Sequence, residues 1–375
     1  MSRKISILVY GRMPTEKAYG IHALNQSKSF EKLGYEVELI YPSTSNSKTI
    51  DKTVPEYYNE NLNFKIIEKD NFDLTGLGIF KFLPDFLKKL LWLLSSYIWA
   101  KKLRNELNDS IIWSTNPIIC WTLKSSYKII FEKHGEGKLL QKVFINKLKD
   151  KQFYLIGTTI TSYNELKKIN NNSIYLPNGV DLDRFYPNNL ENEKIVVGYS
   201  GMLETYGFDK GMLNAIREIL KLMDTLNFNV VVIGGPEYKI NEIKEEVEKS
   251  IHSNNFQFFD RLSQSALAEQ VRRFDIGLVP YPNNKHTNLY ASPLKIFEYI
   301  ASGVIPLVSD LTAHKEIELN EIVFYRNGDF GHFNDVLKSL LNKEIVKNKK
   351  VKILNQIPKL SLDHRTEKIL ELLRL

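Results

Sequence analysis

Ser292-Pro293-Leu294-Lys295-Ile296-Phe297-Glu298-Tyr299-Ile300-Ala301-Ser302-Gly303-Val304-Ile305-Pro306-Leu307-Val308 reads as one helix followed by one buried strand. Ser292 and Pro293 suit a helix start, Gly303 suits its end, and the unbroken apolar run that follows is how a strand covered on both faces is written. The same alternation extends in both directions. Upstream, strand-like runs at 195–200, 229–234, 256–259 and 276–280 are separated by helical patterns, and 305–309 and 322–325 continue the series. The first half repeats the plan with runs at 5–10, 36–41, 64–67, 111–114, 128–132 and 153–156. Strands alternating with helices predict parallel sheets wrapped by helices, an α/β chain with two Rossmann-like domains.

A chain of 375 residues exceeds the size at which one core keeps growing, so two domains are expected. Leu176-Pro177-Asn178-Gly179-Val180, then Asp181 to Pro187 and a polar stretch, reads as a turn and linker, with the junction near 186–193. The expected division is 1–187, 188–358 and a C-terminal helix over 359–375 that returns to the first domain. Cys120 is the sole cysteine, which excludes an intramolecular disulfide and a cysteine-based zinc cluster. With no signal-peptide pattern after Met1 and no apolar stretch near the roughly 20 residues needed to span a bilayer, a cytoplasmic protein is expected. The net charge of +7 favours anionic partners without choosing among them, and nucleic-acid binding, resting on charge alone, is not expected.

Residues 79–104 break the pattern. Lys81, Lys88, Lys89, Lys101, Lys102 and Arg104 are interleaved with Phe80, Phe82, Phe86, Trp92, Tyr97 and Trp99. This composition fits a helix lying in an anionic membrane surface, and equally a core-facing helix with a solvated basic face.

Three places carry candidate chemistry. Gly11 to Gly20 forms the turn after the first strand, and a glycine opening the next helix lets backbone N–H groups approach an anion, although a plain turn reads the same way. Gly201 and the Asp209-Lys210-Gly211 sequence follow the first strand of the second half, where α/β sheets bind ligands; a lysine there pairs naturally with a diphosphate. Lys295 and Glu298, three residues apart, share one helix face. A carboxylate on that face can accept both hydroxyls of a ribose, while N–H groups near Ser292 face phosphate; an isolated pair at this spacing is simply a surface salt bridge.

Taken in order, these motifs resemble the retaining GT-B glycosyltransferases of the family 4 type over nearly the whole chain. The resemblance runs from Met13-Pro14-Thr15-Glu16-Lys17-Ala18 through Pro177-Asn178-Gly179-Val180-Asp181, Gly201, Lys210-Gly211, Ile233-Gly234-Gly235-Pro236 and the 292–303 helix to Arg365 and Lys368. It implies two Rossmann-like domains facing each other across a cleft. The first would bind the acceptor and the second the nucleotide-sugar donor. Lys210 would grip the donor diphosphate, Glu298 the ribose, and Ser292, Pro293 and Leu294 the phosphates and sugar, with the loop ending at Gly20 closing over the donor. His134, after a strand of the first domain, would face the donor sugar or acceptor, or else be an exposed histidine. The resemblance implies transfer with retention from a UDP- or GDP-linked sugar to a glycan or lipid-linked acceptor, in bacterial surface polysaccharide synthesis. The resemblance implies that no metal is required.

Two departures stand out. Met202 replaces the arginine common after the equivalent of Gly201, and Tyr290 replaces the first glutamate of the Glu-x7-Glu motif. Lys295, Arg12 or Arg261 would then supply the missing positive charge, with Lys295 best placed by helical geometry. A non-catalytic glycosyltransferase-like partner protein and a GT-B sugar-nucleotide epimerase are the alternatives.

Overall fold

The computed structural model describes residues 4–44, 50–58, 61–74, 82–107, 109–124, 128–137, 139–188, 191–205 and 207–374. Residues 79–81 of the basic aromatic segment, including Phe80 and Lys81, lie outside the described residues. The chain forms two compact units, one of residues 1–177 with 362–375 and one of residues 178–361.

In the first unit the strands are β1 (Lys4–Leu8), β2 (Glu36–Pro42), β3 (Lys65–Lys69), β4 (Ile111–Ser114), β5 (Ile129–Lys133), β6 (Phe153–Gly157) and β7 (Ser173–Tyr175). They pair in parallel in the order β3-β2-β1-β4-β5-β6-β7. Period-two alternation divides the core. Ile5, Ile7, Ile130 and Ile156 face one layer with Leu24, Phe30 and Ile369, while Leu8, Ile112, Phe131 and Leu155 face another with Trp99, Cys120 and Leu148.

The second unit contains β8 (Val196–Met202), the two-stranded hairpin β9 (Glu204–Thr205) and β10 (Phe208–Asp209), then β11 (Asn229–Gly235), β12 (Phe256–Phe259), β13 (Ile276–Val279), β14 (Ile305–Ser309) and β15 (Val323–Tyr325). Its six-stranded parallel sheet has the order β12-β11-β8-β13-β14-β15. In both sheets the chain winds outward one way from the first strand and then the other. The reversals, at β1/β4 and β8/β13, are the topological switch points where such sheets bind ligands.

The units divide at Pro177, not at 187. Val180 donates its N–H to Leu360 O at 2.9 Å, and Val180 and Phe185 are buried in the core of the second unit, so the stretch read as linker is part of that unit. The helix Leu362–Leu372 belongs to the first unit, where Gln26 Nε2 donates to Thr366 Oγ1 at 2.9 Å.

The helix Asp85–Leu103 has a buried face and an exposed one. Trp99 is fully buried, and its ring and that of Trp92 lie 5.6 and 5.5 Å from Tyr10. Phe82, Phe86, Leu90 and Leu94 are exposed. A second helix, Leu139–Ile145, exposes Leu139, Leu140 and Val143, and both helices pack against Pro117–Thr122. Among the described residues no helix is long and apolar enough to cross a membrane.

Candidate functional site

The last residue but one of β8 is Gly201, whose φ of +114° is open to glycine and strained for other residues. The β9–β10 hairpin then returns the chain, and Lys210 N–H donates to Leu203 O at 2.8 Å. Gly211 caps the helix Met212–Met223 at φ +80°; a Cβ there would lie 2.2 Å from Pro280 O, so no larger residue fits. Two constraints, one from each side, thus fix Lys210 at the end of β8. Lys210 is largely buried with its Nζ 4.3 Å from the Tyr281 ring centroid, and burial lowers its pKa. Among the described residues it has no carboxylate partner.

The helix predicted from Ser292 to Gly303 spans Leu294–Ala301, with Pro293 at its N-cap, no side-chain cap, and Gly303 at φ +73° beyond its end. Asn178 Nδ2 donates to Ser292 O at 2.8 Å and pins the start, while Ser292 Oγ is buried without a partner. Lys295 is buried with its Nζ 3.7 Å from the Tyr199 centroid and 5.3 Å from that of Tyr281, and that Nζ has no hydrogen-bond partner. Burial, and then the nearby Lys210, push its pKa well below the ordinary lysine value, against the pull of Glu298.

Glu298 lies one turn further on and is half-buried. Burial pushes its carboxyl up to about 7, with Lys295 and Arg184 opposing. It forms no salt bridge with Lys295. Lys210, Lys295 and Glu298 are thus held at the β8/β13 switch point around Tyr199 and Tyr281, two lysines and a carboxylate whose charges the protein itself leaves poorly satisfied. Such a set can receive an anion and hydroxyl groups. Tyr281 follows β13 and its central place was not foreseen; an aromatic residue after a strand carries no distinctive signal.

The other candidates have these surroundings. Arg261 is exposed in the loop after the edge strand β12, two strands from β8. Arg12 is ion-paired with Glu16. Met202 is 39% exposed, and Tyr290 is buried. Gly20 sits within the first turn of the helix Ala18–Lys32, and its N–H donates to Lys17 O. A Cβ on Gly20 would come within 2.3 Å of Tyr58 Oη and 2.5 Å of Thr15 Cγ2, so close packing explains the glycine.

In the first unit, His134 joins a buried hub at the β1/β4 switch point. Glu132, with no exposure, accepts from Arg365 Nη2 at 2.7 Å and Trp113 Nε1 at 3.2 Å, and its Oε1 lies 2.9 Å from His134 Nε2 and 3.1 Å from His22 Nε2. Burial raises the Glu132 pKa, but Arg365 and the two imidazoles outweigh it and hold the carboxyl well below its usual range. Burial lowers the pKa of His22, with Glu132 opposing. His22, Glu132 and His134 have the composition of a metal site. The guanidinium of Arg365 on the same oxygen, however, supplies the positive charge a cation would bring, so this donor set suits an ion-pair hub better than a metal. His22 and Glu132 escaped the sequence reading because each lies far in sequence from Arg365.

Residues 194–343 match the family model described as glycosyl transferases group 1. No curated protein matches the sequence. Among solved structures, the fold is similar to that of a sucrose-phosphate synthase from Thermosynechococcus elongatus, with a TM-score of 0.72, 12% identity, and 99% and 98% of the two chains covered. It is similar to WaaG, a glycosyltransferase involved in lipopolysaccharide biosynthesis (TM-score 0.65, 14% identity, 97% and 98% covered). It is also similar to Anabaena HepE in complex with UDP and glucose (TM-score 0.67, 10% identity, 99% of each chain covered). Residues 194–343 thus match the glycosyl transferases group 1 model, and the chain as a whole has the fold of these solved structures.

Proposed function

We propose that the protein transfers a sugar, with retention of configuration, from a UDP- or GDP-linked donor to a glycan or lipid-linked acceptor in the synthesis of a bacterial surface polysaccharide. The observation that carries this reading is the pair of lysines, Lys210 and Lys295, that among the described residues have no carboxylate partner and flank Tyr281 beside the raised carboxyl of Glu298. A diphosphate supplies the acceptors these amines lack, and a ribose supplies hydroxyls to Glu298. The HepE complex, with UDP and glucose bound to a similar fold, supports a nucleotide-sugar donor. WaaG, whose work is lipopolysaccharide biosynthesis, supports a surface-glycan acceptor.

As the bond to the donor sugar breaks, negative charge grows on the departing diphosphate. Lys210, Lys295 and the uncapped first-turn N–H groups after Pro293 stabilise that charge where it develops, which is the part a divalent cation plays in metal-dependent transferases. His134, in the first unit, is 34% exposed and oriented by Glu132, and on this reading it contacts the transferred sugar or acceptor. The test is thermal unfolding with UDP and with GDP. At 100 times its dissociation constant the right nucleotide adds about 2.7 kcal/mol, roughly 5–10 °C for a unit of this size. The shift is expected to persist in excess chelator. A shift that appears only with magnesium or manganese would refute the metal-free reading, and none with either nucleotide would refute the donor.

The reading extends to the inner face of the plasma membrane. Exposed Phe86, Leu90 and Leu94 share the helix Asp85–Leu103 with exposed Lys89, Lys101 and Lys102, and exposed Phe82 precedes it, a combination of apolar and basic residues that anionic interfaces select. Changing Lys88, Lys89, Lys101 and Lys102 to glutamate is expected to abolish sedimentation with anionic liposomes. Unchanged sedimentation would assign these residues to solvent instead.

A further inference from the structure

Lys295 presents a physical problem that its own protein does not solve. The residue is 7% exposed, and among the described residues its Nζ finds no hydrogen-bond acceptor, only the Tyr199 and Tyr281 rings. A buried ammonium without an acceptor carries a desolvation penalty, which a lysine escapes by giving up its proton. The surroundings do not restore the charge. Asp209 is ion-paired with Lys239 and accepts from Gly211 N–H. Arg184 is a second cation and is ion-paired with Asp181. Tyr199 and Tyr281 are held protonated, their pKa values raised by burial. Glu298, on the same helix, makes no hydrogen bond to Lys295, and Lys210 adds a like charge across Tyr281.

We propose that Lys295 is a second phosphate-binding residue of the donor site, a neutral amine before binding that becomes an ammonium when a nucleoside diphosphate arrives. This rests on the donor reading above and goes beyond it. The nucleotide arrives fully ionised, the Lys295 amine takes its proton from solvent, and the N–H bonds formed are donated to phosphate oxygens. Glycine at position 201 leaves the approach open, since a Cβ there would already stand 3.4 Å from Nζ. The consequence is that donor affinity falls on the alkaline side, about tenfold per pH unit once pH exceeds the pKa of the free site.

Calorimetry of UDP and of GDP binding to the full chain, at about pH 8.5 in Tris and in Bicine, counts the protons exchanged. At that pH Glu298, pushed up to about 7, is already ionised, and so is the terminal phosphate, with its pKa of about 6. Neither contributes. The parent protein is expected to take up about one proton per nucleotide bound. Lys295→Met is expected to bind about tenfold to a hundredfold more weakly. Lys295→Arg, whose guanidinium stays charged, is expected to bind without uptake, and Lys210→Met to bind weakly with uptake intact. Melting curves confirm that each variant is folded. Uptake that survives in Lys295→Arg, or that vanishes in Lys210→Met alone, would overturn the proposal and leave the donor reading standing. Failure of both nucleotides to bind the parent would overturn the two together.

Discussion

Arg365→Met is expected to lower the urea midpoint of the first unit by roughly 1.5–2.5 M. Glu132 has no exposure, and its carboxylate is ionised because Arg365 lies 2.7 Å from Oε1. Removing one partner of a buried ion pair leaves the other charge without compensation, a loss of about 3–5 kcal/mol. Division by a urea slope of about 2 kcal/mol per M gives the shift. The guanidinium also donates to Gln26 Oε1 at 2.8 Å and to Pro177 O at 2.8 Å, so the substitution unties the helix Leu362–Leu372 from two other points of the unit. All four tryptophans, Trp92, Trp99, Trp113 and Trp121, belong to this unit, so their fluorescence follows its unfolding alone.

The pH dependence of that deficit distinguishes an unpaired carboxylate from mere loss of packing. In the parent, Glu132 has a depressed pKa, so its contribution is complete above the unfolded carboxyl value and is lost as pH falls through the depressed one. His22, whose pKa burial lowers, adds a second acid-side loss that begins as pH drops below about 6.5, where the unfolded imidazole takes a proton first. Arg365 also lowers the His22 pKa, so in Arg365→Met the His22 imidazole takes up a proton beside Glu132 more readily than in the parent. The deficit is therefore expected to shrink from pH 8 to pH 6. A midpoint that moves by less than 0.5 M, or a deficit that is flat with pH, would show that Arg365 acts through packing.

Much of this architecture could be read from the sequence because the apolar runs are long, rich in Val and Ile, and separated by helical patterns. The runs at 111–114, 256–259 and 305–309 coincide with β4, β12 and β14. β7 was missed. It is three half-buried residues following Asn170, Asn171 and Asn172, too short and too polar to show a period. The β9–β10 hairpin was missed for the same reason, and it is what sets Lys210 in place. The division of the chain was displaced because a Pro-Asn-Gly turn followed by polar residues looks like a linker, whereas Val180 and Phe185 are core residues of the second unit. Lys295 and Glu298 were legible as a pair because helical spacing is local. The Glu132 hub was not, since its members, His22, Trp113, His134 and Arg365, are brought together by topology alone.

Glu298→Gln is expected to weaken donor binding tenfold to a hundredfold while leaving the fold at least as stable as before. The carboxylate accepts no hydrogen bond from the described residues, so its acceptor capacity is available to a ribose, and hydrogen bonds to a charged group contribute about 1.5–3 kcal/mol. Gln keeps the shape and one acceptor oxygen and loses the charge. Stability moves the other way. A carboxyl raised to about 7 is harder to ionise in the folded protein than in the unfolded chain, so its ionisation costs stability that is fully lost above that pH. The neutral amide escapes this cost, and at pH 8 the variant is expected to melt at or above the parent temperature. Donor affinity of the parent is expected to fall as pH drops below about 7, where Glu298 gains a proton, and this acid limb is expected to disappear in the Gln variant. Loss of affinity together with loss of stability would mean that Glu298 supports the helix Leu294–Ala301 and does not hold the nucleotide. Parental affinity with a parental melting temperature would move the ribose to another site altogether.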